Sequence, residues 1–479
     1  MAETTPRAPR TDVPPDTGGN NRLRGSLGMW AIVFIVLAAA SPLGVMGGTV
    51  PIGIDYGNGA AFPAIFLACT IILLLFSVGF TTLTPYVKNA GAFYSYIGKG
   101  LGRRIGFGAA FMALLAYMCE VIAVYGLLGG GAQSLFSSWN IDIHWAVWAV
   151  LAIVGVAILG HRNIDVSKWV LGVLMIAEVL IVLVLDAVVF ANGGPEGPST
   201  AWLQPELIVS GAPGLALLFA FLSFLGFEAT AVFRDEARDP EKTVPRATYT
   251  AVIFIGLFYV ISTWALITAF GDSAAEEFAA ENPVGMLPQA TATYLGTVAE
   301  HIIQVLFVTS LFACVLSFHN IVSRYGFTIA NRGALPQKFA VPHSRHGSPH
   351  TASAVVSIIA VVFIIAAALI GLDGDTVYAW FAGTTTIGFV VLLAGTTLAV
   401  LVFFARERRA GTAGLSVWRT VVAPGIALAS LVLVVFLALS NLPGLIDGKV
   451  SSALVIIGVI AAAFIGGFVL AARRKHLEL

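Results

Sequence analysis

The chain has 479 residues, of which 58% are hydrophobic and only 11% are charged, and its mean hydropathy is +0.90. This composition excludes an ordinary soluble domain. The formal net charge is zero and the basic clusters are short and dispersed, which disfavours a nucleic-acid partner. Cys69, Cys119 and Cys314 lie inside apolar runs without the spacing of a disulfide framework or a metal site, so we expect no metal and no cofactor.

Apolar runs close to the roughly 20 residues needed to cross a bilayer predict twelve membrane spans. In chain order they are residues 28–53, 60–83, 106–131, 145–160, 167–191, 214–235, 248–270, 299–323, 352–370, 377–404, 418–440 and 450–472. With these spans drawn, every Lys and Arg except Lys449 falls on one side. Because cytoplasmic loops retain positive charge, we expect a multi-pass protein of the cell membrane with both termini in the cytoplasm and basic residues near lipid headgroups.

The predicted spans divide the chain into three parts. Residues 1–24 are polar and lack the apolar core of a signal peptide, so we expect a disordered cytoplasmic tail. Residues 25–404 form the predicted core, whose two halves of five spans cover about 28–191 and 214–404. Residues 405–479 add two accessory helices and a short tail. Since no soluble domain is expected, the function must lie within the membrane.

The first and sixth predicted spans are interrupted near their middle. Span 1 contains Ser-Pro-Leu-Gly at 41–44 and two glycines at 47–48, and span 6 contains Gly-Phe-Glu at 226–228. Proline and glycine disfavour a continuous helix. Paired breaks at corresponding positions of two halves mark the substrate site of transporters built from inverted repeats, so we expect a site at the membrane midplane. Ordinary kinks are the alternative interpretation.

Four carboxylates fall inside predicted spans, where a charge costs on the order of 3 kcal/mol and no Lys or Arg lies at comparable depth. They are Glu120, Glu178, Asp186 and Glu228. A carboxyl that is neutral when buried and charged when hydrated can couple proton movement, and we assign that role to Glu228 and Glu178. Both also have a structural interpretation, which for Glu228 is a hydrogen bond to a carbonyl freed at the first break. Glu120 could line the cavity and meet an amino group, whereas Asp186 lies nearer the outer end and is expected to face water.

The interrupted backbone indicates how a zwitterion could be held. The amides at the start of the second half of span 1 suit a carboxylate, and the carbonyls that end the first half of span 6 suit an ammonium group. Two phenylalanines beside the second break could cover the ligand. The predicted substrate-binding residues are Ser41, Gly44, Val45, Gly47, Gly48, Glu120, Phe224, Leu225, Gly226 and Phe227.

Two other features are not assigned a function. The histidine-containing segment 343–350 has no Cys or carboxylate nearby and is interpreted as a solvated loop rather than a metal site. The chain has many glycines but no glycine-rich loop between a strand and a helix, so nucleotide use is not supported.

Several segments resemble the amino acid–polyamine–organocation superfamily of secondary transporters. The most specific is Gly-Phe-Glu at 226–228 followed by the acidic, proline-containing loop 235–247, which ends in Pro-Arg-Ala. Residues 89–96 resemble the family's loop after span 2, and residues 324–336 resemble its segment after span 8. Together they extend the resemblance from span 1 to at least span 9.

The resemblance implies an all-α polytopic membrane protein with a five-plus-five inverted-repeat (LeuT-type) core and two extra C-terminal helices. It also implies an amino-acid site between spans 1, 3, 6, 8 and 10, alternating access, and proton coupling or exchange. Many members carry a Gly-Ser/Ala-Gly triplet in the first break, whereas this chain has Ser-Pro-Leu-Gly at 41–44. Some proton-coupled relatives place a lysine in span 5 where Glu178 would lie here.

We therefore predict a permease, not an enzyme, that imports an amino acid or a close amine together with protons. The first alternative is a transporter of polyamines or other organic cations, which requires Glu120 and Glu228 to face the ligand. The second is a membrane sensor that binds a ligand without transporting it. A membrane-embedded enzyme is the third, and it lacks a nucleophile–base pair or a metal set in the sequence. The sequence does not indicate an oligomeric state.

Overall fold

The computed structural model describes residues 27–87, 92–162, 168–232, 237–341, 349–411, 414, 416–445, 449–474 and 477. The predicted tail 1–24, residues 89–91 and 235–236 of the family-like segments, and most of the histidine-containing loop lie outside these ranges. Within the described residues the secondary structure is helical, and an isolated bridge joins Leu27 to Ala237. The predicted all-α class is confirmed.

The helices are described here in chain order. They are α1 (Met29–Ala40), α2 (Pro42–Gly44), α3 (Val50–Gly53), α4 (Phe62–Leu83), α5 (Ala92–Leu101), α6 (Arg103–Ser137), α7 (Trp145–Arg162), α8 (Lys168–Asn192), α9 (Pro205–Ile208), α10 (Pro213–Leu222), α11 (Ala229–Val232), α12 (Pro240–Phe270), α13 (Ala275–Glu281), α14 (Pro283–Leu295), α15 (Thr297–Asn331), α16 (His350–Leu369), α17 (Gly374–Arg409), α18 (Ala423–Leu445) and α19 (Val450–Arg473).

Nine helical stretches of the described residues are long and apolar enough to cross a membrane. The first, Met29–Tyr86, contains both the first and the second predicted span. Two shorter apolar helices, Trp145–Gly160 and Pro213–Leu222, lie at the fourth and sixth predicted spans. Apolar side chains such as Ile358 on α16 and Val455 on α19 are exposed and form faces suited to lipid. The chain is therefore a multi-pass membrane protein.

The first predicted span is interrupted at a single residue. α1 ends at Ala40, Ser41 has a left-handed backbone with φ 47°, and α2 begins at Pro42. The residue before a proline avoids the α-helical region, while proline itself suits the first position of a helix. The chain therefore breaks and restarts at once. The expected unwinding over residues 41–48 is observed only in part, because Val45–Thr49 forms a π-helical turn.

The sixth predicted span is interrupted over a longer segment. α10 ends at Leu222, and tight turns follow until α11 begins at Ala229. Gly226 has a φ of +104°, a conformation that residues with a side chain rarely adopt. A Cβ atom added at Gly226 would also lie 3.2 Å from the Cβ atom of Ala39 in α1. This glycine therefore permits both the turn and the close approach of the two interrupted spans.

Helix α6 lies at the centre of the assembly. It packs along α15, α17 and α19, while α1 lies against α12 and α15. α10 packs against α17 and α18. This arrangement brings the breaks of the first and sixth predicted spans to a common cavity with α6, α15 and α17.

Candidate functional site

A small cavity lies between the break of the first span, the end of α10, and helices α6, α15 and α17. Its volume is about 30 Å³, which leaves room for about two water molecules. Its lining residues are Ala39, Ala40, Ser41, Gly44, Val45, Thr49, Glu120, Val124, Leu127, Leu222, Leu225, Leu311, Cys314, Phe318 and Tyr378. A substrate larger than water therefore requires these side chains to move apart.

Glu120 is the carboxylate among these lining residues. α6 carries it at the centre of the helical assembly, where its side chain is only 5% exposed. Its Oε2 atom has no hydrogen-bond partner among the described residues. A buried acceptor without a donor is unfavourable. This oxygen is therefore suited to accept a hydrogen bond from a ligand.

The other polar groups of the lining are already bonded. The hydroxyls of Thr49 and Tyr378 lie 2.5 Å apart and join the second half of the first span to α17. The thiol of Cys314 donates to the backbone oxygen of Ala39 at 3.3 Å. Ser41 is bonded through its hydroxyl to α15. These contacts tie the broken span to its neighbours and leave Glu120 as the group with an unused polar atom.

Five of the ten predicted substrate-binding residues line this cavity. They are Ser41, Gly44, Val45, Glu120 and Leu225. Gly226 does not line it but shapes the turn that places Leu225 there.

Gly47 and Gly48 serve helix packing in this structure. A Cβ atom at Gly47 would lie 2.9 Å from the ring of Phe307, and one at Gly48 would lie 2.5 Å from Leu127. Neither glycine is among the lining residues. Both allow the second half of the first span to approach α15 and α6 closely.

The two phenylalanines of the second break also pack away from the cavity. The ring of Phe224 makes an edge contact with Tyr259 on α12, at 6.3 Å between centroids. The ring of Phe227 makes edge contacts with Phe76 on α4 and Phe389 on α17. Both rings are fully buried and neither is among the lining residues, so in this conformation they do not cover the cavity.

Glu228 turns back onto the break of its own span. Its Oε2 atom accepts a hydrogen bond from the N–H of Gly226 at 3.0 Å, and its Oε1 atom accepts one from the hydroxyl of Tyr117 on α6. The side chain is buried and does not line the cavity. Its partners among the described residues are thus donors from spans 3 and 6, not a carbonyl of span 1.

Glu178 lies at the break of the first span. Its Oε2 atom accepts a 2.6 Å hydrogen bond from the hydroxyl of Ser310, which lies 2.8 Å from the hydroxyl of Ser41. The carboxylate also accepts a hydrogen bond from the backbone N–H of Leu43, in the first turn of α2. Because the start of a helix carries partial positive charge, this position stabilises a carboxylate. Glu178 therefore binds to the helix end created by the break.

The expectation that Asp186 faces water is wrong. Its side chain is only 4% exposed, and its Oδ2 atom accepts a 2.6 Å hydrogen bond from the hydroxyl of Ser262. The reason is that α12 packs against this part of α8, which residue order along α8 does not reveal. Asp186 joins two helices and is not part of the cavity.

Several lining residues were not predicted. On α6, Val124 and Leu127 follow Glu120 at helical spacing, and on α15 Leu311, Cys314 and Phe318 share one face in the same way. The remaining unpredicted lining residues are Ala39, Ala40, Thr49, Leu222 and Tyr378. The spacing from Glu120 was a usable signal for α6. Nothing in the sequence indicated which face of α15 or α17 would turn toward α6.

The family model of the amino acid permeases matches residues 31–478. The chain is 24% identical over 357 residues to the branched-chain amino acid permease BcaP of Bacillus subtilis, covering 70% of this chain and 74% of that protein. It is 23% identical over 412 residues to the low-affinity putrescine importer PlaP of Escherichia coli, covering 83% and 85%. These relatives are transporters rather than enzymes.

The fold is similar to that of the manganese transporter of Eremococcus coleocola, with a TM-score of 0.62 and 16% sequence identity over 95% of this chain and 98% of that one. At that identity the likeness supports the fold alone. The match of the family model from the first helix almost to the carboxyl end covers both interrupted spans and the cavity between them. The chain belongs to the amino acid permease family.

Proposed function

We propose that this protein is a secondary active transporter that imports an amino acid or a close amine, coupled to protons, by alternating access at the cavity between the two interrupted spans. The observation that carries the proposal is that Glu120 lines the cavity at the junction of both breaks, while its buried Oε2 atom has no hydrogen-bond partner among the described residues. An ammonium group would supply the missing donor and charge.

The proposed architecture has twelve spans and both termini in the cytoplasm. The nine long apolar stretches, the composite nature of Met29–Tyr86 and the two shorter apolar helices support that number. The core would be residues 25–404, built as two inverted five-span repeats, with accessory helices in residues 405–479. The interruption of both the first and the sixth span supports the repeat, because inverted-repeat transporters place their broken helices at such equivalent positions.

The named activities of relatives agree with an amino-group-bearing substrate. One relative is named a branched-chain amino acid permease and another a putrescine importer. The substrates in these two names share an amino group. Here the carboxyl ends of α1 and α10, with Glu120, would hold that ammonium group, because carbonyls at a helix end carry partial negative charge.

Alternating access requires the cavity to enlarge. At about 30 Å³ it is too small for an amino acid. Ser41 is the natural hinge, since it alone leaves the helical conformation between α1 and α2. Movement of α1 about Ser41 would separate Ala39 and Ala40 from Leu225 and open the cavity to one side.

Proton coupling is proposed for Glu228 and Glu178. Each is a buried carboxylate at one of the two breaks, and each bonds a backbone N–H created by that break. Adding a proton would weaken its attraction to that N–H and to the hydroxyl beside it. Proton binding would then favour movement of the broken span.

The test is uptake into proteoliposomes that contain the purified protein, with labelled amino acids and amines and an inward proton gradient. A thermal-shift screen selects the ligands first, because a ligand at a hundredfold its dissociation constant stabilises by about 2.7 kcal/mol. Gradient-dependent accumulation above that of protein-free liposomes supports the proposal. Binding without flux would instead support a membrane sensor.

A transporter of polyamines is the second candidate, favoured by the unpaired oxygen of Glu120. Transport of a polyamine would require Glu228 to face the ligand as well. Glu228 is bonded to Tyr117 and Gly226 and is not among the lining residues. The cavity therefore offers one carboxylate, which is less than a diamine requires.

A further inference from the structure

We infer that the cavity selects a primary amine with one cationic centre, an apolar body and no carboxylate. The inference rests on the proposed transport function and narrows the substrate class of the same cavity. It is carried by two relationships: the negative groups around the cavity have no positive counterpart there, and the helix end suited to a substrate carboxylate already binds a carboxylate of the protein.

The surroundings of the cavity are electronegative. Glu120 is almost fully buried, and its Oε2 atom has no partner in the described part of the chain. Ala39 and Ala40 at the carboxyl end of α1, and Leu222 at the carboxyl end of α10, also line the cavity. A helix carboxyl end carries roughly half a negative elementary charge. Three negative features therefore converge on one small volume.

No positive side chain balances them. None of the lining residues is Lys, Arg or His, and no Lys or Arg within the described ranges is buried. A buried charge without a partner is strongly unfavourable. A cationic ligand would remove that imbalance, whereas a zwitterion would bring a second negative charge that needs its own partner.

The natural partner for a substrate carboxylate is the start of the second half of the first span. Pro42 has no N–H, and the N–H of Leu43 donates to Glu178. Ser310 holds the same carboxylate by a 2.6 Å hydrogen bond. A substrate carboxylate would have to displace Glu178 or lie beside it, and like charges repel. Glu178 thus occupies the first N–H that this helix start offers to a substrate carboxylate.

The other lining residues indicate the polarity of the part of the ligand that lies beyond its amino group. Val124 and Leu127 on α6 and Leu311 and Phe318 on α15 give the cavity apolar walls. Such walls favour an alkyl or aromatic group. Beyond Glu120 the lining contains no carboxylate for a second ammonium group. An apolar monoamine matches this set better than a diamine.

The test compares matched ligands on the full-length protein in detergent by titration calorimetry. The pairs are 2-methylpropylamine with valine, 3-methylbutylamine with leucine, and 2-phenylethylamine with phenylalanine, and each pair differs only in the carboxylate. We expect the amine of the preferred pair to bind at least about tenfold more tightly than its amino acid, and more tightly than 1,5-diaminopentane, because like-charge contacts and unpaired charges discriminate strongly.

Two variants test the role of Glu178. Glu178→Gln keeps a hydrogen-bond acceptor but removes the charge, and we expect the amine preference to fall to less than about threefold, since charge repulsion supplies the discrimination. Asp186→Asn is the matched control, because Asp186 lies on the same helix, is equally buried and also accepts from a serine hydroxyl. We expect this control to keep the wild-type preference.

Tighter binding of the amino acid in the preferred pair would overturn the inference and leave the transport function standing. An equal loss of the preference for the amine in Glu178→Gln and Asp186→Asn would also overturn the inference, since Glu178 would then have no special role. If Glu178→Gln does not fold, the affinities of the wild-type protein for each amine and its matched amino acid still test the inference. Absence of both binding and uptake for all ligands would instead reject the proposed function.

Discussion

The hydroxyl of Tyr117 on α6 donates a hydrogen bond to the carboxylate of Glu228 at the break of the sixth span. The N–H of Gly226 donates to the other oxygen at 3.0 Å. The ring of Tyr117 is held in turn between Phe318 and Tyr325 of α15. The carboxylate therefore links the broken sixth span to α6 and α15, two of the helices that line the cavity.

Tyr117→Phe tests that link. Removing the hydroxyl leaves one carboxylate oxygen of Glu228 without its donor, and we expect a loss of about 1–3 kcal/mol of stability. The matched control is Tyr125→Phe on the same helix, whose buried hydroxyl has no partner among the described residues. Thermal unfolding in detergent should show a lowered midpoint for the first variant and an unchanged or raised one for the control. Equal midpoints would show that the contact does not contribute.

Glu228→Gln tests proton coupling. Glutamine keeps the acceptor for Tyr117 and Gly226 but cannot gain or lose a proton. We expect ligand binding to persist and accumulation driven by a pH gradient to be lost. The measurement is uptake into proteoliposomes with and without the gradient, with Asp186→Asn as the control for loss of a buried carboxylate. An unchanged response to the gradient would exclude Glu228 as a coupling residue.

Gly44→Ala tests the packing of the first break. An added Cβ atom would lie 2.3 Å from the Oγ atom of Ser41 and 2.9 Å from a methyl carbon of Leu311. We expect about 1–3 kcal/mol of destabilisation from overpacking, together with weaker ligand binding. Gly425→Ala in α18 is the control, because nothing lies within 4 Å of its added Cβ atom. Thermal unfolding and calorimetry of both variants would show whether the effect is specific to the break.

Ser310→Ala tests the anchoring of Glu178. The variant removes the hydroxyl that bonds both Glu178 and Ser41, and we expect about 1–3 kcal/mol of destabilisation because a buried carboxylate loses a donor. Ser317→Ala on the same helix is the control, since the hydroxyl of Ser317 donates to the backbone oxygen of Ala313 at 2.9 Å, within its own helix. Indistinguishable thermal midpoints for the two variants would contradict the anchoring role.

Cys314 provides a chemical test of where the substrate binds. It lines the cavity, whereas Cys69 on α4 is fully buried elsewhere. In chains that retain only one of these cysteines, we expect a small water-soluble thiol reagent to modify Cys314 as the cavity opens and a bound ligand to slow that reaction. Cys69 should remain unreactive with or without ligand. Modification of Cys314 at a rate independent of ligand would place the substrate elsewhere.

Much of this molecule could be predicted from residue patterns. The apolar runs predicted a helical membrane protein, since length and hydropathy act locally. The break at Ser41 followed from the proline after it, and the break before Glu228 followed from Gly226. Glu120 was expected to reach a cavity, and the structure places it there.

The partners of the buried carboxylates could not be predicted in this way. The sequence by itself determined that Glu178, Asp186 and Glu228 would lie in apolar helices and need donors. Only the tertiary structure decided that Ser310 and Leu43 serve the first, Ser262 the second, and Tyr117 with Gly226 the third. Helical periodicity fixes which residues share a face, but the face that meets a neighbour depends on how whole helices rotate and pack. Side chains far apart in the chain determine how the helices rotate and pack. This packing places Glu120 at the cavity and Glu178 and Glu228 at the two broken spans.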